Sequence, residues 1–213
     1  MAKNINIHIT SGSLDQYKDK IHQKTLETIV KVRRAVPLKE KLEIIFYCNP
    51  ERTISEIGIG GYSVDANIIL VALNPKFKEF NATLDEQLER TLVHELHHCL
   101  RWQNPGYGMT LLEALVTEGL ADHFDIEVNG KAPQIWDVAL TQEQIEAFQK
   151  KAIKEYHDFN YNHEEWFFGS ESMKIPKWAG YTLGFQLVGK YLKKHPNKKP
   201  SQLYNVKAEE FIK

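Results

Sequence analysis

The stretch TLVHELHHCL (91–100) has the residue types and spacing for metal chemistry. His94 and His98 stand four apart, and in a helix that spacing projects both rings from one face, about one turn apart. Two imidazole nitrogens so placed can reach one Zn²⁺ at about 2.0–2.1 Å. Glu95 points about 100° around the axis from His94, close enough to meet a water on the metal without ligating the metal itself. These polar groups sit among Leu92, Val93, Leu96, Cys99 and Leu100, where an unpaired polar atom costs free energy. The competing account is a pair of core histidines hydrogen-bonded to backbone. His97 points away from the 94/98 direction and reads as packed or solvent-bridged.

A hydrolytic zinc site keeps three protein ligands and one open position. The downstream segment EALVTEGLADHF (113–124) offers the third. Glu118 and Asp122 are four apart on one helical face, where two like charges repel unless a cation intervenes. A metal on Glu118, with Asp122 accepting an N–H from a ligating histidine, removes the conflict. Glu113 competes as a ligand but is already explained as the end of a Thr110–Glu113 capping box. Gly119 would let two helices approach closely.

HELHH followed by a glutamate inside EGLAD resembles the gluzincin zinc metallopeptidases, which use HExxH with a downstream ExxxD. With GIGGY (58–62) and WAGYTLG (178–184), the wording also resembles the DUF2268, or YjaZ-like, group of predicted zinc-dependent proteases. The resemblance implies a zincin-like fold, one Zn²⁺ per chain held by His94, His98 and Glu118, Glu95 as general base, and Asp122 as hydrogen-bond partner of His94. It implies a peptide or protein substrate. A metzincin continuation is absent, because Arg101 and Asn104 occupy its Gly and His positions.

Gluzincins supply an oxyanion donor from a Tyr or His beyond the third ligand, and the resemblance makes Tyr181 the counterpart. Gly180 and Gly184 beside it would permit close backbone approach. The alternative is a core tyrosine anchoring its helix. His123, His157 and His163 read as surface or packing residues. Gluzincins also bind substrate along a strand edge, which the resemblance places at Gly60, Gly61 and Tyr62; a glycine-rich bulge or turn is the other reading. WFFG (166–169) reads as core or lid packing.

The elements that must carry these residues follow from periodicity. Strands are expected over 4–10 and 42–48, and as a pair within 56–73 turning at Asp65-Ala66-Asn67. A helix spans about 14–35. Capping boxes at Thr83/Glu86, Thr110/Glu113 and Thr141/Gln144 open helices reaching about Trp102, Val128 and Asp158. A loop rich in His, Asn and aromatics leads to a last helix over 181–194. The expected class is α+β: a small, mainly antiparallel N-terminal sheet packed on a helical lobe. One domain over 1–213 is expected, with 1–80 mainly sheet plus one helix and 81–213 mainly helical.

With 42% hydrophobic and 26% charged residues, the 213-residue chain can bury a full core. A formal net charge of -1 gives no field favouring nucleic acid or an anionic membrane. Lys190, Lys193, Lys194, Lys198 and Lys199 read as a solvated helix end. Cys48 and Cys99 form no CxxC pair and read as buried, reduced thiols. No apolar leader, prodomain or membrane-spanning run is apparent, so a cytoplasmic monomer or weak homo-oligomer is expected. The functional expectation is a zinc-dependent peptidase; the alternative is a non-catalytic zinc-binding or regulatory protein that retains the site.

Overall fold

The computed structural model describes residues 4–38 and 41–213. They gather into two compact units, one ending at Gln103 and the other beginning at Asn104. The first contains strands β1 (Ile5–Ile9), β2 (Leu42–Cys48), β3 (Ile59–Ser63) and β4 (Ile68–Leu73). Its helices are α1 (Lys18–Ala35), the short α2 (Phe80–Ala82) and α3 (Leu88–Gln103).

The sheet runs in the order β1-β2-β4-β3. β1 pairs parallel with β2, and β2 parallel with β4; only β3 runs antiparallel, to β4. The expectation of a mainly antiparallel sheet is thus overturned, while the mixed α and β composition stands. The cause lies in the connections. An 18-residue helix separates β1 from β2, and a crossover of that length returns the chain to the starting end, so the next strand runs the same way. A hairpin can form only where the link is short. β3 and β4 meet that condition: Asp65 Oδ1 accepts from the backbone N–H groups of Asn67 and Ile68 at 2.8 and 3.0 Å, closing the turn.

Ile44, Phe46, Ile69 and Val71 of the sheet are fully buried, as are Ile21 and Val32 of α1 and Leu88, Leu92 and Leu96 of α3. β3 forms one edge of the sheet and packs against α3. The expected capping box at Thr83 does not form. Helical backbone begins earlier, at Phe80, so the Thr83 N–H already bonds to Glu79 O at 3.0 Å. The Thr83 hydroxyl instead donates to Ile57 O at 2.7 Å. Residues Thr83–Gln87 form a wide π turn leading into α3.

The second unit is helical: α4 (Leu111–Asn129), α5 (Gln142–Glu155), α6 (His163–Phe168) and α7 (Ala179–Lys194). Here both expected capping boxes form, at Thr110/Glu113 and Thr141/Gln144. α4 is buried around most of its circumference and ends at Gly130, which takes the left-handed conformation at φ 62°. α4 and α7 touch through glycines: a Cβ on Gly119 would lie 2.3 Å from Gly184 O, and one on Gly184 would lie 2.3 Å from Leu115 O. The close approach expected at Gly119 is therefore made with α7. The aromatic segment expected as loop contains α6, whose Trp166 and Phe167 are core while Phe168 is about half exposed. Among the described residues no helix is long and apolar enough to cross a membrane.

Candidate metal centre and general base

Four turns of α3 carry the first part of the site. Its leucine stripe faces the sheet and α1, and that packing fixes the rotation of the helix and hence the direction of its polar residues. His94 is half-buried and His98 buried. Their Nε2 atoms face each other at 2.9 Å, with the rings edge to face. Two imidazoles four residues apart thus turn the same ring nitrogen toward one point, as two ligands of one ion must. His97 is fully buried and belongs to the packed side of the helix.

Glu95 is buried against β3. Ser63 Oγ lies 2.8 Å from both Glu95 Oε2 and Glu95 O, so its single proton is donated to one or the other. Gly61, two residues earlier on the same strand face, leaves room for the carboxylate: a Cβ there would stand 2.5 Å from Glu95 Oε1 and 2.6 Å from its Cγ. The Trp102 indole N–H donates to Ser63 O at 3.3 Å, and Cys99 Sγ lies 3.7 Å from Ser63 Oγ. Burial pushes the Cys99 thiol up to about 12, with the charge of Glu95 adding to the shift. Cys48, expected to be buried, is exposed. It ends β2, where the alternation of buried and outward residues has run out of covering structure.

In the second unit α4 carries Glu118 and Asp122, both buried. The Tyr107 hydroxyl donates to Glu118 Oε1 at 2.5 Å. Burial, then the charge of Glu118, then this hydrogen bond hold the Tyr107 phenol well above its ordinary range, so it stays protonated as the donor. The Thr117 hydroxyl donates to Tyr107 O at 2.8 Å, tying the loop to the helix. Asp122 Oδ1 accepts from the Trp136 indole N–H at 3.2 Å. Glu113 Oε2 accepts the backbone N–H groups of Met109 and Thr110 at 2.8 and 2.9 Å, the capping work expected of it.

Tyr181 is half-buried in the first turn of α7, its ring edge-on to Phe167 with centroids 5.0 Å apart. His123 stacks on Phe185 and bonds to its backbone O at 2.9 Å; burial lowers its pKa below the ordinary imidazole value. His163 stacks on Phe167, and His157 is exposed. Gly60, Gly61 and Tyr62 lie on the edge strand, with the Tyr62 side chain largely exposed.

His94, His98 and Glu118 form a group able to hold a metal ion: each offers one ligand atom, and these atoms lie within 4.8 Å of one another. Two imidazole nitrogens and one carboxylate oxygen suit zinc chemically. Sequence reasoning missed Ser63, Tyr107 and Trp136. Nothing in their spacing marks them, because each reaches its carboxylate from a different element.

Residues 16–213 match the model of a family described as predicted Zn-dependent protease (DUF2268). A 108-residue segment is 32% identical to "Uncharacterized protein YjaZ" of Bacillus subtilis (strain 168), covering 47% of this chain and 41% of that relative. The match thus spans less than half of either protein. No solved structure matches the chain.

Proposed function

The chain belongs to the DUF2268 family of predicted Zn-dependent proteases, and on that premise we propose that it is a peptidase with Glu95 as its general base. The observation that carries this reading is the burial of Glu95 beside His94, with one oxygen held by Ser63 and the other against Gly61. A purely structural zinc site closes with a fourth protein ligand and has no use for a positioned base.

His94, His98 and Glu118 would hold one zinc ion per chain. A zinc bound by three protein ligands supplies Lewis acidity and brings the pKa of water at its open position to about 7. Glu95 takes the attacking water's proton and passes it to the leaving amine. With Ser63 on Oε2, the proton is handled at Oε1. Asp122 belongs to the same reading as the hydrogen-bond partner of His94, and Tyr181 as donor to the developing oxyanion. The edge strand at Gly60, Gly61 and Tyr62 would align an extended peptide by main-chain pairing, which gives affinity with little sequence preference. The reading includes a cytoplasmic location, a peptide or protein substrate, and a monomer or weak homo-oligomer.

Glu95→Gln tests it. The expected result is zinc still bound at one per chain by elemental analysis, with cleavage of a peptide library lost by at least about a thousandfold. Full cleavage by that variant would remove Glu95 from the mechanism. A zinc-loaded wild-type protein that cleaves nothing would leave a zinc-binding or regulatory module.

A further inference from the structure

Helix α1 spends one side on the core of its unit and keeps another that the core does not explain. Its buried residues are Ile21, Thr25, Thr28, Ile29 and Val32. Val30 points about 160° away from Val32 and about 180° away from Ile21, and Leu26 lies one turn before Val30 on the same outward side. Val30 is 54% exposed and Leu26 is half-buried. Valine is a poor helix former, so helix formation does not account for an outward apolar pair.

These two residues floor an open cleft of about 550 Å³, and Glu27, Lys31, Arg34 and Glu89 complete its lining. Lys31 is bonded to Glu89 Oε1 at 2.5 Å, so the cleft's central cation is already matched by an anion of the same chain. Glu27 and Arg34 are both exposed. They stand seven residues apart, which places them on one line of the helix about 10.5 Å from each other along its axis. Turning α1 end for end against a copy of itself, about a two-fold axis between Val30 and Lys31, sets each Glu27 opposite the Arg34 of the other copy. Val30 of both copies then lies close to the axis. A parallel arrangement would instead set Glu27 against Glu27. The face is thus complementary in charge to itself in one orientation only, as a two-fold contact requires.

We infer that α1 is a homodimer surface: its outward face, carrying Leu26, Glu27, Val30 and Arg34, pairs antiparallel with the same face of a second copy. The 18 residues of α1 span about 27 Å. A contact between two such helix faces falls at or below the low end of stable interfaces, near 1,200 Å² in total, so the dimer is a weak one. The inference needs neither metal nor cleavage and stands apart from the peptidase reading.

The test is sedimentation velocity of the full chain at low salt, over about 1–500 μM. Wild type is expected to show a monomer–dimer equilibrium with a Kd of roughly 1–100 μM. Glu27→Arg and Arg34→Glu each remove two opposite-charge contacts and create two like-charge ones, so each is expected to weaken the dimer at least about fivefold. The double variant exchanges the two charges and should return the Kd to within about threefold of wild type. Melting temperatures report that each variant folds. A wild-type protein that is monomeric at the highest concentration overturns the inference, and that result needs no variant. So does a dimer that neither single reversal weakens, or a double variant that recovers nothing.

Discussion

Two buried carboxylates, one in each unit, are held in contrasting ways. Glu95 lies against a strand that presents a glycine and a serine two residues apart on one face. Glu118 takes its hydroxyl from a tyrosine in the loop preceding its own helix. Serine has one rotatable side-chain bond before its oxygen and glycine has none, so the grip on Glu95 is as rigid as the sheet that carries it. Tyrosine reaches further and is fixed by packing and by Thr117. The short grip suits the general base proposed for Glu95, which would present one oxygen at a fixed place. The long one holds its carboxylate only as firmly as the loop and the ring packing that carry it.

The contrast predicts that damage to the strand shows in turnover, and damage to the loop in metal affinity. The largest effect among strand variants is expected from Gly61→Ala. Its Cβ would lie 2.5 Å from Oε1, 2.6 Å from Cγ and 2.8 Å from Cδ of Glu95, so that side chain must shift. A displacement of about 1 Å in a reacting group costs on the order of a hundredfold. Steady-state kinetics should show kcat down by about that factor, with zinc content and melting temperature near wild type. A loss of zinc in G61A would break the division of labour between the units.

Ser63→Ala is expected to do less. It removes one hydrogen bond to the carboxylate and leaves the space open, so kcat should fall about tenfold, in line with a bond to a charged group worth roughly 1.5–3 kcal/mol of which part is recovered. Threonine at the same position keeps a hydroxyl and should restore most of the activity. A fall in S63A that appears wholly in KM would assign Ser63 to substrate binding instead.

The smallest effect concerns the thiols, and it reports how closed the packing around Ser63 is. Burial holds the Cys99 thiol at about 12, so at pH 8 the reactive thiolate is roughly one part in ten thousand. Raising the pH toward 12 increases that fraction. An alkylating reagent at pH 8 should therefore label the exposed Cys48 alone, giving one adduct by mass spectrometry, and two in denaturant. Rapid double labelling of the native protein would show that the contact between α3 and β3 opens.

Legibility divides along the same physical line. The capping boxes at Thr110 and Thr141, the turn at Asp65 and the α3 leucine stripe are each decided within a few residues of chain, and each could be read from spacing. Thr83/Glu86 has the same spelling, yet it caps nothing, because helical backbone had already begun at Phe80. The order of strands before helices suggests an antiparallel sheet, yet the 18-residue helix between β1 and β2 is a connection long enough to make their pairing parallel. Cys48 was misread because an apolar neighbourhood in sequence did not extend to a covered position at the strand's end.

The sequence by itself determined which residues could ligate and which could act as a base. HExxH on a helix is a statement about angles around one axis, and Glu118 with Asp122 is another. Only the tertiary structure decided which atoms hold those residues in place. Ser63 and Gly61 meet Glu95 because β3 packs on α3, and Tyr107 meets Glu118 because a loop folds back on its helix. Helical geometry repeats and leaves a period in the chain. A contact between two elements depends on how they are stacked, and it leaves no period to read.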